Sequence, residues 1–264
     1  MKRLLPIVLV IGFFATFTAR QARAQYFKFE KLPPAQINSE VDAILKYFGS
    51  LVGGGLYHTA KLHHVGGLDV GVRGVVARVP DKFQDLPVFS QEDLLGLAFL
   101  HASLGLPGNF ELIGRFFYLP IGSSRDINAK PSRAQDSRGG VTLVGGGLKY
   151  GLLQLPGLPK IMVMATYHAV FVPSEFDFGT VSSANFNAVV SHSLPLLTVY
   201  AGGGVDITRL KLNDEFLGGD TFTETEPHLT LGANVNILPL VHVNGSYNFS
   251  EFSSFDLGIG LSFR

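Results

Sequence analysis

Residues 255–263 read FDLGIGLSF, and in this stretch apolar residues at odd positions alternate with small or polar residues at even positions. The same alternation of period two recurs in residues 241–250, 228–237 and 197–208. Successive side chains of a β-strand point to opposite faces, so each of these segments has one apolar and one polar face. The pattern therefore predicts a series of long amphipathic strands.

These strands fit a membrane barrel better than a soluble sandwich. They run for about ten residues, the length of a tilted transmembrane strand, and short connections alternate with long ones. Their polar faces carry Asn, Ser, Thr, Gly and His, which suits a wet lumen. Charged residues make up only 16% of the chain, against about 25% in an ordinary soluble domain. We therefore expect an all-β fold, an antiparallel transmembrane β-barrel with a short N-terminal helix.

The sequence predicts the number of strands less directly than it predicts the fold. Eleven segments resemble strands: 54–64, 67–79, 95–106, 109–121, 139–154, 160–173, 177–192, 196–212, 226–238, 240–250 and 253–263. Bacterial single-chain barrels have even strand numbers, so we expect about twelve strands, with ten the next choice. Alternatively, the segment nearest the N-terminus threads the lumen. The longer connections, 80–93, 122–139 and 213–226, are expected outside the cell.

The N-terminal region predicts export. A basic start, an apolar run and Ala22-Arg23-Ala24 predict a signal peptide over residues 1–24, cleaved after Ala24. Residues 25–52 form a second segment, whose helix-like spacing starts at Asn38. This segment is either a periplasmic helix at the rim or a plug inside the lumen. The barrel itself is assigned to residues 53–264.

Several short motifs resemble an uncharacterised family of outer-membrane barrels from Gram-negative bacteria. They are residues 55–64 (GLYHTAKLHH), followed by 66–69, together with residues 105–115 and 147–150. The chain differs from that family's pattern at Leu56 and Tyr150, where Trp and His are expected. A more distant architectural similarity is to outer-membrane channels of the fatty-acid-transporter type. The last strand, with apolar residues at every second position up to Phe263, resembles the C-terminal signal that the outer-membrane assembly machinery reads, although Arg264 follows it. Together with the signal peptide and the barrel, it predicts an outer-membrane location, with outer-membrane lipid and the general secretion and barrel-assembly machineries as partners.

No catalytic, cofactor or metal site is predicted. The chain has no Cys, no G-x-S-x-G and no H-E-x-x-H. His63 and His64 are adjacent, so in a strand or turn their side chains point apart and make poor joint metal ligands. Lys+Arg and Asp+Glu balance at 21 each, so nothing indicates a nucleic-acid partner.

Polar residues within the strands are the better candidates, because a charge facing lipid is costly. The predicted lumen-lining residues are Asp69, Arg73, Glu111, Arg115, Lys149, Asp206, Asn234, His242 and Asn244. Either they pair across the lumen and hold the barrel together, or they line a passage and tune its selectivity.

Three functions fit these features of the sequence. The first is a passive channel or carrier for small or hydrophobic solutes. The second is a closed structural or adhesive barrel that binds partners through its external loops. The third is a lipid-modifying barrel enzyme that uses a Ser/His pair assembled across strands.

Overall fold

A computed structural model of the protein describes residues 34–84, 94–121, 139–171, 179–212 and 220–263. Residues 1–33, which include the predicted signal peptide, lie outside this part of the chain, as do residues 85–93, 122–138, 172–178, 213–219 and 264. Helix α1 spans Pro34–Gly53. The ten strands are β1 (Leu68–Arg78), β2 (Leu94–Leu106), β3 (Phe110–Ile121), β4 (Gly139–Leu153), β5 (Lys160–Phe171), β6 (Gly179–Ser193), β7 (Leu197–Leu212), β8 (Thr221–Asn236), β9 (Val241–Phe249) and β10 (Ser254–Phe263).

The strands form one closed antiparallel barrel. Each strand pairs with its neighbour in sequence, and β1 pairs with β10 to complete the ring. Closure leaves no free sheet edge, as a wall inside lipid requires. We call the end of the barrel that carries residues 107–109, 154–159, 194–196 and 237–240 the turn end, and the opposite end the loop end.

The expected count of about twelve strands is wrong, and the alternative of ten is confirmed. Residues 54–64, predicted as a strand, lie inside the barrel instead. Leu56, Tyr57 and His58 are consecutive, yet each is at most 4% exposed. A wall strand would expose every second side chain to lipid. Without this segment, the eleven predicted strands become ten.

Helix α1 also lies inside the barrel, the second of its two predicted placements. It starts at Pro34, four residues before the predicted Asn38, and ends at Gly53. Gly55 then adopts a positive φ of 62°, a conformation that glycine tolerates and other residues avoid. The chain thus turns out of the helix within the lumen. We call α1 together with residues 54–64 the plug.

Two apolar clusters lie at the loop end of the lumen, where the sequence had predicted a wet interior. Val41 and Leu45 of α1 pack against Leu210 and Leu212 of β7. A second cluster joins the helix to Phe252, in the connection between β9 and β10. The helix is therefore held at the loop end by burial of apolar surface.

The outer surface of the wall is apolar as well. Along β5, β9 and β10, apolar residues on the outer face alternate with buried residues on the inner face. An apolar outer band around a polar interior is the arrangement of a transmembrane barrel. Within the described ranges, no helix is long and apolar enough to cross a membrane. Strand β8 begins at Thr221, so the predicted connection 213–226 is shorter than expected.

Candidate functional site: a plugged lumen

All nine predicted lumen-lining residues lie on the inner side of the wall. None is more than 5% exposed: Asp69, Arg73, Glu111, Arg115, Lys149, Asp206, Asn234, His242 and Asn244. The structure brings several of them together in pairs. Glu111 is opposite Lys149 in the β3–β4 ladder, and Asn234 is opposite Asn244 in the β8–β9 ladder. Asp206 accepts a hydrogen bond from Asn185 at 2.5 Å.

Two of these residues meet the C-terminal end of α1. Arg115 Nη1 donates to the carbonyl oxygen of Val52 at 2.6 Å, and Arg73 Nη1 donates to that of Gly55 at 3.1 Å. The last carbonyls of a helix have no partner within the helix and carry partial negative charge. The last turn of α1 contains no basic residue of its own. The barrel wall therefore supplies the cations at this helix end.

A buried ionic cluster holds the plug at the turn end. Glu111 Oε1 accepts from Lys149 Nζ at 2.7 Å, and Glu111 Oε2 accepts from the backbone N–H of His63 at 2.9 Å. The Nδ1 atom of His63 lies 2.8 Å from the same oxygen. Nearby, the side-chain amide of Gln154 donates to the Ala60 carbonyl, and Ser191 Oγ accepts from the Ala60 N–H. One carboxylate thus bonds both the wall and the plug.

A second ionic contact ties the plug at the loop end. Lys46 Nζ of α1 lies 3.1 Å from Glu251 Oε2, in the connection between β9 and β10. Lys82 also donates to Glu251. The hydrogen bond from Lys82 and that from Lys46 lower the pKa of the Glu251 carboxyl below its usual range. Glu251 is therefore ionised at neutral pH.

The lumen contains further groups that were not among the predicted lumen-lining residues. His58 of the plug stacks on His242 of β9, with ring centroids 4.4 Å apart. His101 of β2 and Asp256 of β10 are also buried. The alternation in β2 and β10 could have identified both, since they share a face with Ser103 and Ser254. His58 could not be found in this way, because its segment is not a strand.

A Ser/His contact near the turn end joins strand β10 to the plug, and not two strands as the enzyme hypothesis expects. Ser262 Oγ lies 3.4 Å from His63 Nε2, whose Nδ1 contacts Glu111. The Ser262 hydroxyl, however, donates to Asp69 Oδ2 at the shorter distance of 2.5 Å. A nucleophilic serine needs its proton directed at the base. As it stands, the arrangement is a hydrogen-bonded network that links the plug to β1, β3 and β10.

Several solved structures resemble the chain, each with a TM-score below 0.5. For the loop L8 deletion mutant of OmpT, an outer membrane protein of Vibrio cholerae, the identity is 16% over 64% of this chain, with a TM-score of 0.34. The chain covers 53% of that protein, about half its length. For Ail, the attachment invasion locus protein of Yersinia pestis, the identity is 14%, with 75% of this chain and 99% of Ail covered and a TM-score of 0.33.

The transport unit of the autotransporter AIDA-I from Escherichia coli is 10% identical, with 89% of this chain and 100% of that unit covered and a TM-score of 0.28. No curated protein matches the chain. A family model matches residues 83–263, more than half of the chain, and includes the motifs at 105–115 and 147–150. The resemblance to an uncharacterised barrel family is thereby confirmed, and the chain belongs to the family of unknown function DUF6588.

Proposed function

We propose that the protein is an outer-membrane barrel of a Gram-negative bacterium that acts as a gated passage for small solutes, closed at rest by its own plug. The observation that carries this proposal is the course of residues 34–64, which run from the loop end to the turn end inside the wall. Eight-stranded barrels are filled by their own side chains. Ten strands enclose more space, and the plug occupies it.

The nature of the plug contacts favours a gate. Lys46–Glu251 at the loop end is a partly exposed ion pair and His63–Glu111 at the turn end is a buried one, and the groups of both can bond to water once the plug moves. Between them, Arg115 donates to a backbone carbonyl of the plug, and Arg73 contacts a backbone carbonyl and the His58 ring of the plug. If the plug moves, these side chains line the passage. When the plug moves, these arginines exchange their contacts with the plug for contacts with water or solute.

The proposal includes the route to the membrane. We expect the signal peptide 1–24 to direct secretion, and the barrel-assembly machinery to insert the mature chain into outer-membrane lipid. By the usual rule for such barrels, the turn end faces the periplasm and the loop end faces outward. Small or hydrophobic solutes remain the proposed cargo.

Conductance in planar bilayers tests the gate. The chain has no Cys, so Ala60→Cys combined with Ser191→Cys introduces a single cross-link between plug and wall, where the Ala60 N–H lies 2.9 Å from Ser191 Oγ. We expect rare openings in the parent protein, none in the oxidised variant, and their return after reduction. The matched control is Ala60→Cys alone. A parent protein that passes neither current nor a hydrophobic probe would instead support the closed structural barrel.

The enzyme alternative has one observation in its favour, the contact between Ser262 and His63. If this pair cleaves an ester bond in lipid, lipid incubated with the parent protein should yield fatty acid and lyso-lipid. Ser262→Ala should yield neither, with the compact barrel retained on gels. Identical lipid profiles for the two proteins would exclude this reaction at Ser262.

A further inference from the structure

Three buried side chains that can bind a metal ion meet inside the barrel, toward the turn end. They are His58 of the plug, Asp69 of β1 and His242 of β9, and one donor atom from each lies within 4.8 Å of the others. Their residues are 4%, 1% and 3% exposed, respectively. Groups this polar are normally buried only when they have partners.

Part of this cluster has bonding capacity that the protein itself does not use. Among the described residues, Asp69 Oδ1 has no hydrogen-bond partner. The other carboxylate oxygen, Oδ2, accepts from Ser262 and lies 3.6 Å from His242 Nδ1. On the other side of β1, both ring nitrogens of the buried His101 are also without a partner in the described ranges. Asp69 Oδ1 is thus an unused ligand atom within the cluster, and His101 is a further buried imidazole on the neighbouring strand β2.

A glycine provides the space for one of the imidazole rings. Gly260 of β10 is directly opposite His242, and a Cβ atom at Gly260 would come within 2.5 Å of the His242 ring. The ring can lie against the wall only because position 260 has no side chain. Glycine at position 260 therefore leaves a recess in the wall that the His242 ring occupies.

We propose that His58, Asp69 and His242 form a binding site for a divalent transition-metal ion, with Zn²⁺ the best match. Two imidazole nitrogens and one carboxylate oxygen are a common three-ligand set for zinc, and they leave the fourth position for water or another ligand. Imidazole ligands disfavour Mg²⁺ and Ca²⁺, which prefer oxygen.

Two features of the cluster must adjust for the ion. The rings of His58 and His242 are stacked, with 16° between their planes, so at least one must turn to direct its nitrogen at a shared ion. The χ2 torsion of histidine is soft, and such a turn costs little. Arg73 Nη2 lies 2.6 Å from His58 Nδ1, so the ion either uses Nε2 of His58 or displaces the guanidinium.

The site would join the plug to the wall. His58 belongs to the plug, whereas Asp69 and His242 belong to strands, so one ion bound by all three prevents the plug from moving. This effect on the gate rests on the proposed function. The binding site itself does not, because metal uptake can be measured without any current.

The test uses the full-length mature protein in detergent, treated with a chelator and then titrated with Zn²⁺ by calorimetry. We expect one ion per chain with micromolar or tighter affinity. His58→Ala, Asp69→Asn and His242→Gln should each weaken binding by at least about tenfold, the lower end for disturbing a metal site. His192→Ala is the matched control, since His192 is exposed and far from the cluster in the β6–β7 ladder. Co²⁺ should give the absorption of a tetrahedral site in the parent protein and in His192→Ala, and not in the three ligand variants.

Arg73→Gln gives a test of opposite sign. Removing the guanidinium removes a positive charge from the cluster, so Zn²⁺ affinity should rise rather than fall. Heat-dependent gel mobility shows which variants retain a folded barrel, and the near-isosteric Asp69→Asn keeps the test valid if His58→Ala does not fold. A parent protein that takes up no Zn²⁺, or a loss in His192→Ala equal to that in His58→Ala, would overturn the site. Tight binding without any effect on conductance would keep the site and reject the gate.

Discussion

Glu111→Gln should be among the most damaging single substitutions in the lumen. The Glu111 and Lys149 side chains are 2% and 4% exposed, and their charged atoms are 2.7 Å apart. Glutamine keeps the size of the side chain but leaves the Lys149 ammonium buried without its counter-charge. Breaking a buried ion pair in this way costs about 3–5 kcal/mol. Loss of the charge-assisted bond to the His63 N–H adds about 1 kcal/mol to the cost.

The assay is urea unfolding of the detergent-folded protein, followed by circular dichroism or gel mobility because the chain contains no Trp. The matched variants are Lys149→Met and the double substitution. Replacing both members of a buried pair with groups of similar volume is often close to neutral. The double variant should therefore be more stable than Glu111→Gln alone. A loss below about 1 kcal/mol for Glu111→Gln would be typical of a solvated pair and would refute the buried cluster.

Three other substitutions test the plug and its contacts. Phe252→Ala removes a fully buried ring that contacts two aromatic rings at 5.5 and 4.9 Å, so we expect a loss of about 3–5 kcal/mol in the free energy of unfolding by urea titration. Gly105→Ala would place a Cβ atom 2.1 Å from a backbone oxygen of residue 64 and should cost about 1–3 kcal/mol, whereas Gly114→Ala, with nothing within 4 Å, should leave the unfolding midpoint unchanged. The pKa of the Glu251 carboxyl is lower in the folded protein than its ordinary value of about 4.3, because Lys82 and Lys46 bond to it. Its contact with Lys46 therefore stabilises the plug fully at pH values above about 4.3. The contact weakens as the pH falls through the lower pKa of the folded state. Channel openings should therefore rise at acid pH, and Glu251→Gln should open as often at neutral pH as the parent does in acid.

The wall of the barrel could be predicted from the sequence because a strand has a period of two. Phe255 and Leu257 face outward and Asp256 inward, as the alternation indicates. The same rule placed Asp69 and Arg115 on the inner side. Alternation reports only which face a residue occupies, however, and does not show what covers that face. The apolar contacts of Phe252 with α1 were therefore not foreseen.

The strand count failed for a related reason. Residues 54–64 have a length and composition that fit a strand, and the preceding Gly53-Gly54 resembles a turn. What distinguishes this segment is burial on every side, as at Tyr57 and His58. Burial depends on the surrounding barrel, which local sequence does not contain. The pairing of His58 with Asp69 and His242 depends on the same long-range arrangement.

The C-terminal end of α1 lies inside the lumen, and its position shows which groups Arg73 and Arg115 bind. In the sequence, Arg73 and Arg115 could equally hold the barrel together or tune a passage. In the structure, both bind carbonyls at the end of α1, and Arg115 also lies 3.9 Å from the centre of the Phe99 ring. A helix without a basic residue in its last turn is stabilised by cations placed there from elsewhere. Under the proposed gating, each arginine supports the plug while the lumen is closed and meets a solute only after the plug has moved, so the two roles alternate.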